Sequence, residues 1–446
     1  MPSIRQGWNV AAEVWRTQLW PVPTLCVVLA VGLGVVLPRV DARIDDDLPD
    51  ALTAYLFSGG PEAARTVLSA AAGSLITVTS LTFSLTVVTL QLASSQYSPR
   101  LLRTFTRDPV VHLCLGLLLA TFTYALTVLR TVRASLSEQT AFVPQISVTV
   151  AFALTLASVL ILVGFLAHLS RQLRVEWMLR QVHAETNGTI RRVLPGNDGD
   201  PAAPAAPPNA ALLCATSSGF LTSIDEPGVL AAAARTGTVV VIDRRPGDSL
   251  VAGTPIASAW RDDGQNVSEE QRITLTTCLG TAVRTGFERT ATQDVAFGVR
   301  QLVDVVVKAL SPGVNDPTTA VHGLGHVAAV MCELGVKDLG PRLLRDDEGQ
   351  VRVVLSRPDF DELLELAVAQ PCRYGAAEPA VLSRLLAMLR EIAWTTTDPA
   401  RRAAVGRQLD RLAGVATRPD LDPAERDRLD DQARTVREAL AGRWTA

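Results

Sequence analysis

The chain has 446 residues, 48% of them hydrophobic, and a formal net charge of only −3. So even a balance offers no strong field for nucleic acid or for acidic lipid as a principal partner. Six cysteines stand singly, with no C-x-x-C spacing, and argue for small buried hydrophobes in a reducing compartment rather than a disulfide or zinc framework.

Long apolar runs lie almost entirely before residue 170, and dense charge lies after it. The N-terminus lacks a short apolar core followed by a small-residue cleavage site, so it does not read as a removable signal peptide. A bilayer core of about 30 Å requires about 20 apolar residues in helix. Four runs qualify or come close: 19–37, entered through Trp15 and Trp20 and closed by Pro38, then 70–92, 110–129 and 146–166. No Asp, Glu or Lys lies inside any of them, and His112 and His168 fall at span ends, where an interfacial role is expected. The first outer loop carries an acidic run at 45–50, either an ordinary solvated loop or a vestibule for cations. Eight arginines (5, 16, 100, 103, 107, 171, 174, 180) face five (39, 43, 65, 130, 133) across the spans. That excess places both termini in the cytoplasm of a multi-pass protein of the cell membrane. Arg100, Arg103 and Arg107 form the expected cytoplasmic elbow between spans two and three, with Tyr97 as an interfacial anchor.

The second span is apolar yet rich in hydroxyls. Gly59-Gly60-Pro61 opens it and Ser98-Pro99 closes it, giving a helix of roughly 35 residues, or about 50 Å, longer than a bilayer. On a helical wheel Thr77, Ser80, Ser84, Gln91 and Ser95 share an arc of about 60°, and Thr79, Thr82, Thr86 and Thr89 a roughly opposite arc of about 80°. Hydroxyls that return a hydrogen bond to the carbonyl four residues earlier are cheap in a buried helix, and small polar residues let helices approach closely. Alternatively, one stripe lines a polar path, with Thr77, Ser80, Ser84 and Gln91 as the pore-lining candidates.

After span four a polar helical extension completes residues 1–194, and the Pro/Ala-rich segment 195–211 reads as a linker. Residues 212–262 are β-rich, with turns at Pro246-Gly247-Asp248 and Ala252-Gly253-Thr254-Pro255. The G-D-x-x-x-x-G-x-x-I spacing there resembles half of a small biotinyl- or lipoyl-type barrel, but the lysine hairpin that would accept a cofactor is missing. A small structural barrel is therefore expected, and no cofactor. Residues 263–446 read as mainly helical. Within them "SPGVNDPTTA" forms a structural turn: Gly313 helps to stop one helix, Asn315 or Asp316 caps the next, and Pro317 sits in its first turn. His322 and His326 have two-histidine spacing but no intervening acid, and no metal site is assigned.

Two stretches carry a resemblance. "SLTFSLTVVTLQLASSQYSPRLLRTFTRD" and "ERTATQDVAFGVRQLVDVVVKALSPGVNDPTTAV" are similar to the signatures of the bacterial predicted membrane proteins called domain of unknown function 2254. The order of elements agrees over almost the whole chain. The resemblance implies membrane location and this architecture, and no particular activity.

The expected fold is thus a polytopic α-helical membrane protein with four transmembrane helices and a C-terminal α+β cytoplasmic domain containing a small barrel-like part. Its expected function is a homo-oligomeric channel or pore built around the polar second span, with the cytoplasmic domain as regulator. The alternative is a membrane-anchored sensor or scaffold whose cytoplasmic domain binds a ligand or partner. With no G-x-S-x-G, no P-loop and no Cys/His pair at working spacing, an enzyme is not expected. The expected partners are the lipid bilayer and further copies of the chain, without nucleic acid.

Overall fold

Proline and aspartate set the starts of the helices that fill the N-terminal half. α1 spans Pro21–Ile44, α2 Pro61–Gln96, α3 Pro109–Leu129 and α4 Gln145–Gln172. Proline costs nothing in a first turn, because the N–H it lacks would have had no intrahelical partner. The computed structural model describes residues 20–44, 56–96, 108–133, 142–172, 174–194, 203–416 and 421–444. It divides into two units, Met1–Arg174 and Val175–Ala446. All four helices of the first unit are long and apolar enough to cross a membrane.

Inside that unit α1 lies close against α3. A Cβ on Gly34 would stand 2.8 Å from Thr127 Cβ, and one on Gly116 would stand 3.1 Å from Cys26 Sγ. Ala64, Leu68 and Ala72 of α2 share a core with Tyr124, Ala125 and Val128 of α3, and Leu75 shares the next one with Val111, Cys114 and Phe165. Thr121 and Ser158 join α3 to α4 through a buried hydroxyl pair at 3.0 Å.

Two expectations are corrected here. Span one does not end at Pro38, since α1 runs through it to Ile44. Asp41, about one turn beyond the expected end, is buried and accepts from Ile146 N–H at 3.0 Å, Ser147 N–H at 2.9 Å and the Ser147 hydroxyl at 2.5 Å. These bonds cap the start of α4 and hold the turn beyond the proline, offsetting a helix-interior cost of about 3 kcal/mol. An acid therefore does lie within the apolar segment Pro21–Arg43. The histidines at the other end are not merely interfacial. His112 is buried, and His168 Nε2 lies 2.6 Å from Asp108 Oδ2, whose other oxygen caps α3 through Val110 N–H.

The second unit opens with α5, Val175–Val193, whose buried face packs on two later helices, α8 (Val295–Ala309) and α9 (Pro317–Leu334). A Cβ on Gly298 of α8 would collide with Thr186 Oγ1, so α5 and α8 are in close contact there. Between these helices in sequence come β1 (Ala211–Cys214), β2 (Gly219–Ile224), α6 (Glu226–Thr236), β3 (Thr238–Ile242), β4 (Ser249–Leu250), β5 (Pro255–Arg261), α7 (Glu269–Ala282) and β6 (Val283–Gly286). After α9 follow β7 (Arg342–Arg345), β8 (Val351–Leu355), α10 (Phe360–Tyr374), α11 (Pro379–Thr395), α12 (Pro399–Ala416) and α13 (Pro423–Leu440).

No closed barrel forms among the described residues. The strands make an open five-stranded sheet, β1-β5-β3-β8-β7, and an open three-stranded sheet, β4-β2-β6. The reason lies in α6, whose entry through Pro227 and left-handed exit at Gly237 carry the chain out of the strand pattern. β3 then pairs in parallel with β8, Val240 opposite Val353, while its other edge meets β5 antiparallel. The stretch 212–262 therefore shares its sheets with strands far downstream. Its core, including Leu213, Val240, Ile242 and Val353, also takes in Val229 and Ala233 of α6 and Leu275 and Leu279 of α7.

Candidate functional site

The parallel strands β3 and β8 end side by side, and the chain leaves them through Arg245-Pro246-Gly247-Asp248 and through Ser356-Arg357-Pro358. A cavity of about 740 Å³ lies there, within the second unit. In open α/β sheets this edge, outside the carboxyl ends of parallel strands, is where ligands bind. The starts of three helices line the same space: Glu226 and Pro227 of α6, Val295 and Ala296 of α8, and Glu362 and Leu363 of α10. Helix starts present unsatisfied N–H groups and a partial positive charge.

Six arginines also line it: Arg192, Arg245, Arg289, Arg300, Arg342 and Arg357. Arg245, Arg289 and Arg342 form ion pairs there. Arg245 forks onto Glu362 at 2.6 and 3.0 Å, Arg289 meets Asp294 at 2.7 Å, and Arg342 meets Glu226 at 3.0 Å. The Arg245 bond holds the Glu362 carboxyl below its usual range. Asp294 is almost wholly buried, and that burial raises its carboxyl above the usual value despite the guanidinium beside it. Its other oxygen caps α8 by accepting from Phe297 N–H at 2.9 Å. Gly247 closes over this pair with a φ of +100°, where a side chain would have no room.

Arg192 and Arg357 differ from these three. Arg357 donates to the Val193 carbonyl at 2.6 Å and Arg192 to Thr189 Oγ1 at 3.0 Å, and neither has a carboxylate at ion-pair distance among the described residues. Burial first, and then the charge of Arg342, push the Arg357 guanidinium below its ordinary value.

Sequence reasoning recognises parts of this cavity as a turn and as a family signature, but does not bring them together. The available signal is an arginine in each of three separate segments, at Arg245, Arg289 and Arg357, just before a turn or a helix start.

The pore-lining candidates lie elsewhere. Thr77, Ser80, Ser84 and Gln91 are all exposed on α2, and so lie on the outside of a single chain. Thr79, Thr82, Thr86 and Thr89 are buried, and each hydroxyl donates to the carbonyl four residues back at 2.7 to 2.8 Å. The elbow residues Tyr97, Arg100, Arg103 and Arg107 and the acidic run 45–50 fall outside the described residues.

At the structural turn Asp316 is the N-cap of α9, taking Thr319 N–H at 3.0 Å and the Thr319 hydroxyl at 2.6 Å, and those bonds hold its carboxyl below the usual range. Asn315 takes the left-handed conformation, with φ +50°, whereas Gly313 does not. Pro317 begins α9, and none of these four residues lines the cavity. Of the spaced histidines, His326 packs edge-on against His183 of α5 with ring centres 5.1 Å apart. Burial, followed by His183 and Arg180, holds His326 below its usual range.

Uncharacterized proteins of Mycobacterium bovis and Mycobacterium tuberculosis are each 35% identical to this chain over 445 residues, covering 96% of it and 84% of theirs. No solved structure matches it. The model of the predicted membrane protein family DUF2254 matches residues 16–391, a range that takes in all four membrane-length helices and the whole of the cavity lining. The chain belongs to this family of predicted membrane proteins.

Proposed function

We propose that the protein is a membrane-anchored sensor whose C-terminal unit, on the cytoplasmic side, binds a small soluble ligand. The observation that carries this reading is the cavity where three helix starts meet the carboxyl ends of β3 and β8. Its volume of about 740 Å³ lies within the usual range for small-molecule sites. The test is the melting temperature of the full-length protein in detergent, measured against a panel of nucleotides, sugar phosphates, amino acids, dicarboxylates and polyamines. Thr292 is exposed at the cavity lining, so Thr292→Trp obstructs the space without entering the core. At least one class should raise the wild-type melting temperature, and the variant should lose that rise. A panel without effect on the wild type overturns the reading.

A second reading, a homo-oligomeric channel, is favoured by α2. Leu75 of this helix shares a core cluster with Val111 and Cys114 of α3. The stretch from Ser80 to the helix end at Gln96 is about 25 Å long. On that length Leu81, Phe83 and Val88 are exposed together with Ser80, Ser84 and Gln91. Copies meeting along this face would cover it and bring the polar stripe to a shared axis. Ser84→Cys should then form disulfide-linked dimers in membranes, and buried Thr86→Cys should not. Ser84→Leu should alter single-channel conductance in planar bilayers. Equal cross-linking at both positions and bilayers that stay silent would rule the channel out.

A further inference from the structure

The sensor reading leaves the chemistry of the ligand open, and the cavity narrows it. We propose that it binds a phosphorylated small organic molecule, with Arg192 and Arg357 as the cations that hold the phosphate. This inference rests on the ligand-binding reading above.

Availability of donors is the first argument. Arg245, Arg289 and Arg342 are already committed to Glu362, Asp294 and Glu226. Arg192 and Arg357 each spend a donor on a neutral oxygen, of Thr189 and Val193, and keep the rest of a five-donor fork. Arg357 is half-buried and Arg192 exposed, and a partly desolvated guanidinium without a carboxylate, as at Arg357, gains most from an anion delivered by a ligand.

The helix starts supply the second argument, and they are not equivalent. α10 is closed by a reciprocal capping box between Asp359 and Glu362. α6 has no side-chain cap, and in α8 the Asp294 carboxylate satisfies only Phe297 N–H. Apart from Pro227, which has no N–H, the first residues of α6 and α8 therefore keep N–H groups open to a bound oxyanion. Donors from two helix starts and two guanidiniums approach from several directions. That suits the three outer oxygens of a phosphate ester better than a planar carboxylate, which a single arginine fork would satisfy.

Size and lining give the third argument. The space is much larger than a bare phosphate requires, and Val193, Leu194, Leu339, Leu355 and Leu366 give it an apolar wall. Asp225 and Asp248 stand at the same cavity, outside the three ion pairs across it, as acceptors for hydroxyl or amino groups. An organic body with hydrogen-bond donors, of nucleotide or sugar-phosphate size, fits this combination.

The experiment uses the full-length protein in detergent, with inorganic pyrophosphate, adenosine 5′-monophosphate and adenosine as probes, read by melting temperature and titration calorimetry. The two phosphate probes should stabilise the protein and adenosine should not. Added salt should weaken the phosphate probes, because it screens a charge-based contact. Arg192 is exposed, so Arg192→Gln should leave the unliganded melting temperature unchanged while weakening both phosphate probes about tenfold or more. Arg357→Lys should weaken them less than Arg357→Gln. Phosphate probes that bind equally well to Arg192→Gln and Arg357→Gln overturn the assignment. If only uncharged or cationic members of the wider panel stabilise the protein, and Thr292→Trp abolishes the effect, the phosphate inference fails while the sensor reading stands. If nothing binds the wild type, both fail.

Discussion

Gly247 and Asp294 are in such close register that a Cβ on the glycine would collide with Asp294 Oδ2 and stand 2.6 Å from Arg289 Nη2. The backbone there has φ +100°, which is strained for any L side chain. Gly247→Ala is therefore expected to cost about 1–3 kcal/mol and to push apart the ion pair at the mouth of α8. A melting temperature equal to that of the wild type would contradict this account of the loop.

The pair itself makes a second prediction. Removing the cation leaves the buried carboxylate with Phe297 N–H but no counter-charge, so Arg289→Met should cost about 3 kcal/mol. Arg289→Met with Asp294→Asn should cost less than Arg289→Met alone, as measured in a double-mutant cycle. The pH dependence has a definite sign. Burial raises the folded Asp294 carboxyl above its ordinary value, so its contribution to stability is fully present below that ordinary value and is lost as pH rises through the folded one. Without Arg289 the opposing influence is gone, and the gain on acidification from neutral pH should be larger in Arg289→Met than in the wild type.

Asp316 behaves in the opposite sense. Its bonds to Thr319 lower the folded value, so its contribution is present above the ordinary carboxylate range and is lost as pH falls through the folded value. Asp316→Ala should cost about 1 kcal/mol at neutral pH through loss of the cap on α9. Melting curves of wild type and variant should begin to draw together as pH falls below about 4, and should meet only below the lowered folded value. A constant gap down to acid would show that the carboxylate charge contributes nothing there.

The two faces of α2 should respond differently to the same kind of change. Thr86 is buried and its hydroxyl bonds only its own helix, to the Thr82 carbonyl at 2.8 Å. Thr86→Val gives up only a back-bond within its own helix and should cost less than about 1 kcal/mol, whereas Thr86→Leu adds volume and should cost about 1–3 kcal/mol. Ser84→Leu, on the exposed face, should leave the heat resistance of the isolated chain unchanged. Comparable losses for Ser84→Leu and Thr86→Leu, read from the fraction surviving heating in detergent, would mean that the serine face is packed as well.

The membrane helices are legible because runs of about 20 apolar residues leave few alternatives. Their starts at Pro61 and Pro109, and that of α9 at Pro317, are legible because proline in a first turn is a local rule. Contacts distant in sequence are not. Asp41 reaches Ser147, and nothing near either residue announces the other. The α6 stretch "EPGVLAAAART" is short and weakly patterned, so it reads as an interruption among strands, and the barrel expectation follows from missing it. The β3–β8 pairing joins Val241 to Val354, and the cavity depends on that pairing. Its wall comes from segments around 192, 225, 246, 293, 342 and 357, a set that only the folded topology assembles. The stripe of Thr77, Ser80, Ser84 and Gln91 reads as the conduit candidate only as an alternative to packing, because a helical wheel finds stripes without showing which of them faces inward.

Helix α5 carries a consequence for biosynthesis. Its apolar face, with Met178, Leu179, Val182 and Ile190, is completed by α8 and α9, which leave the ribosome only after both α6 and α7 have been made. Throughout that interval the nascent chain holds a finished amphipathic helix with nothing to close it, directly after α4. Ribosomes stalled before α9 should therefore display a chaperone-binding segment at 175–193, and messages truncated there should yield products that proteases clear quickly.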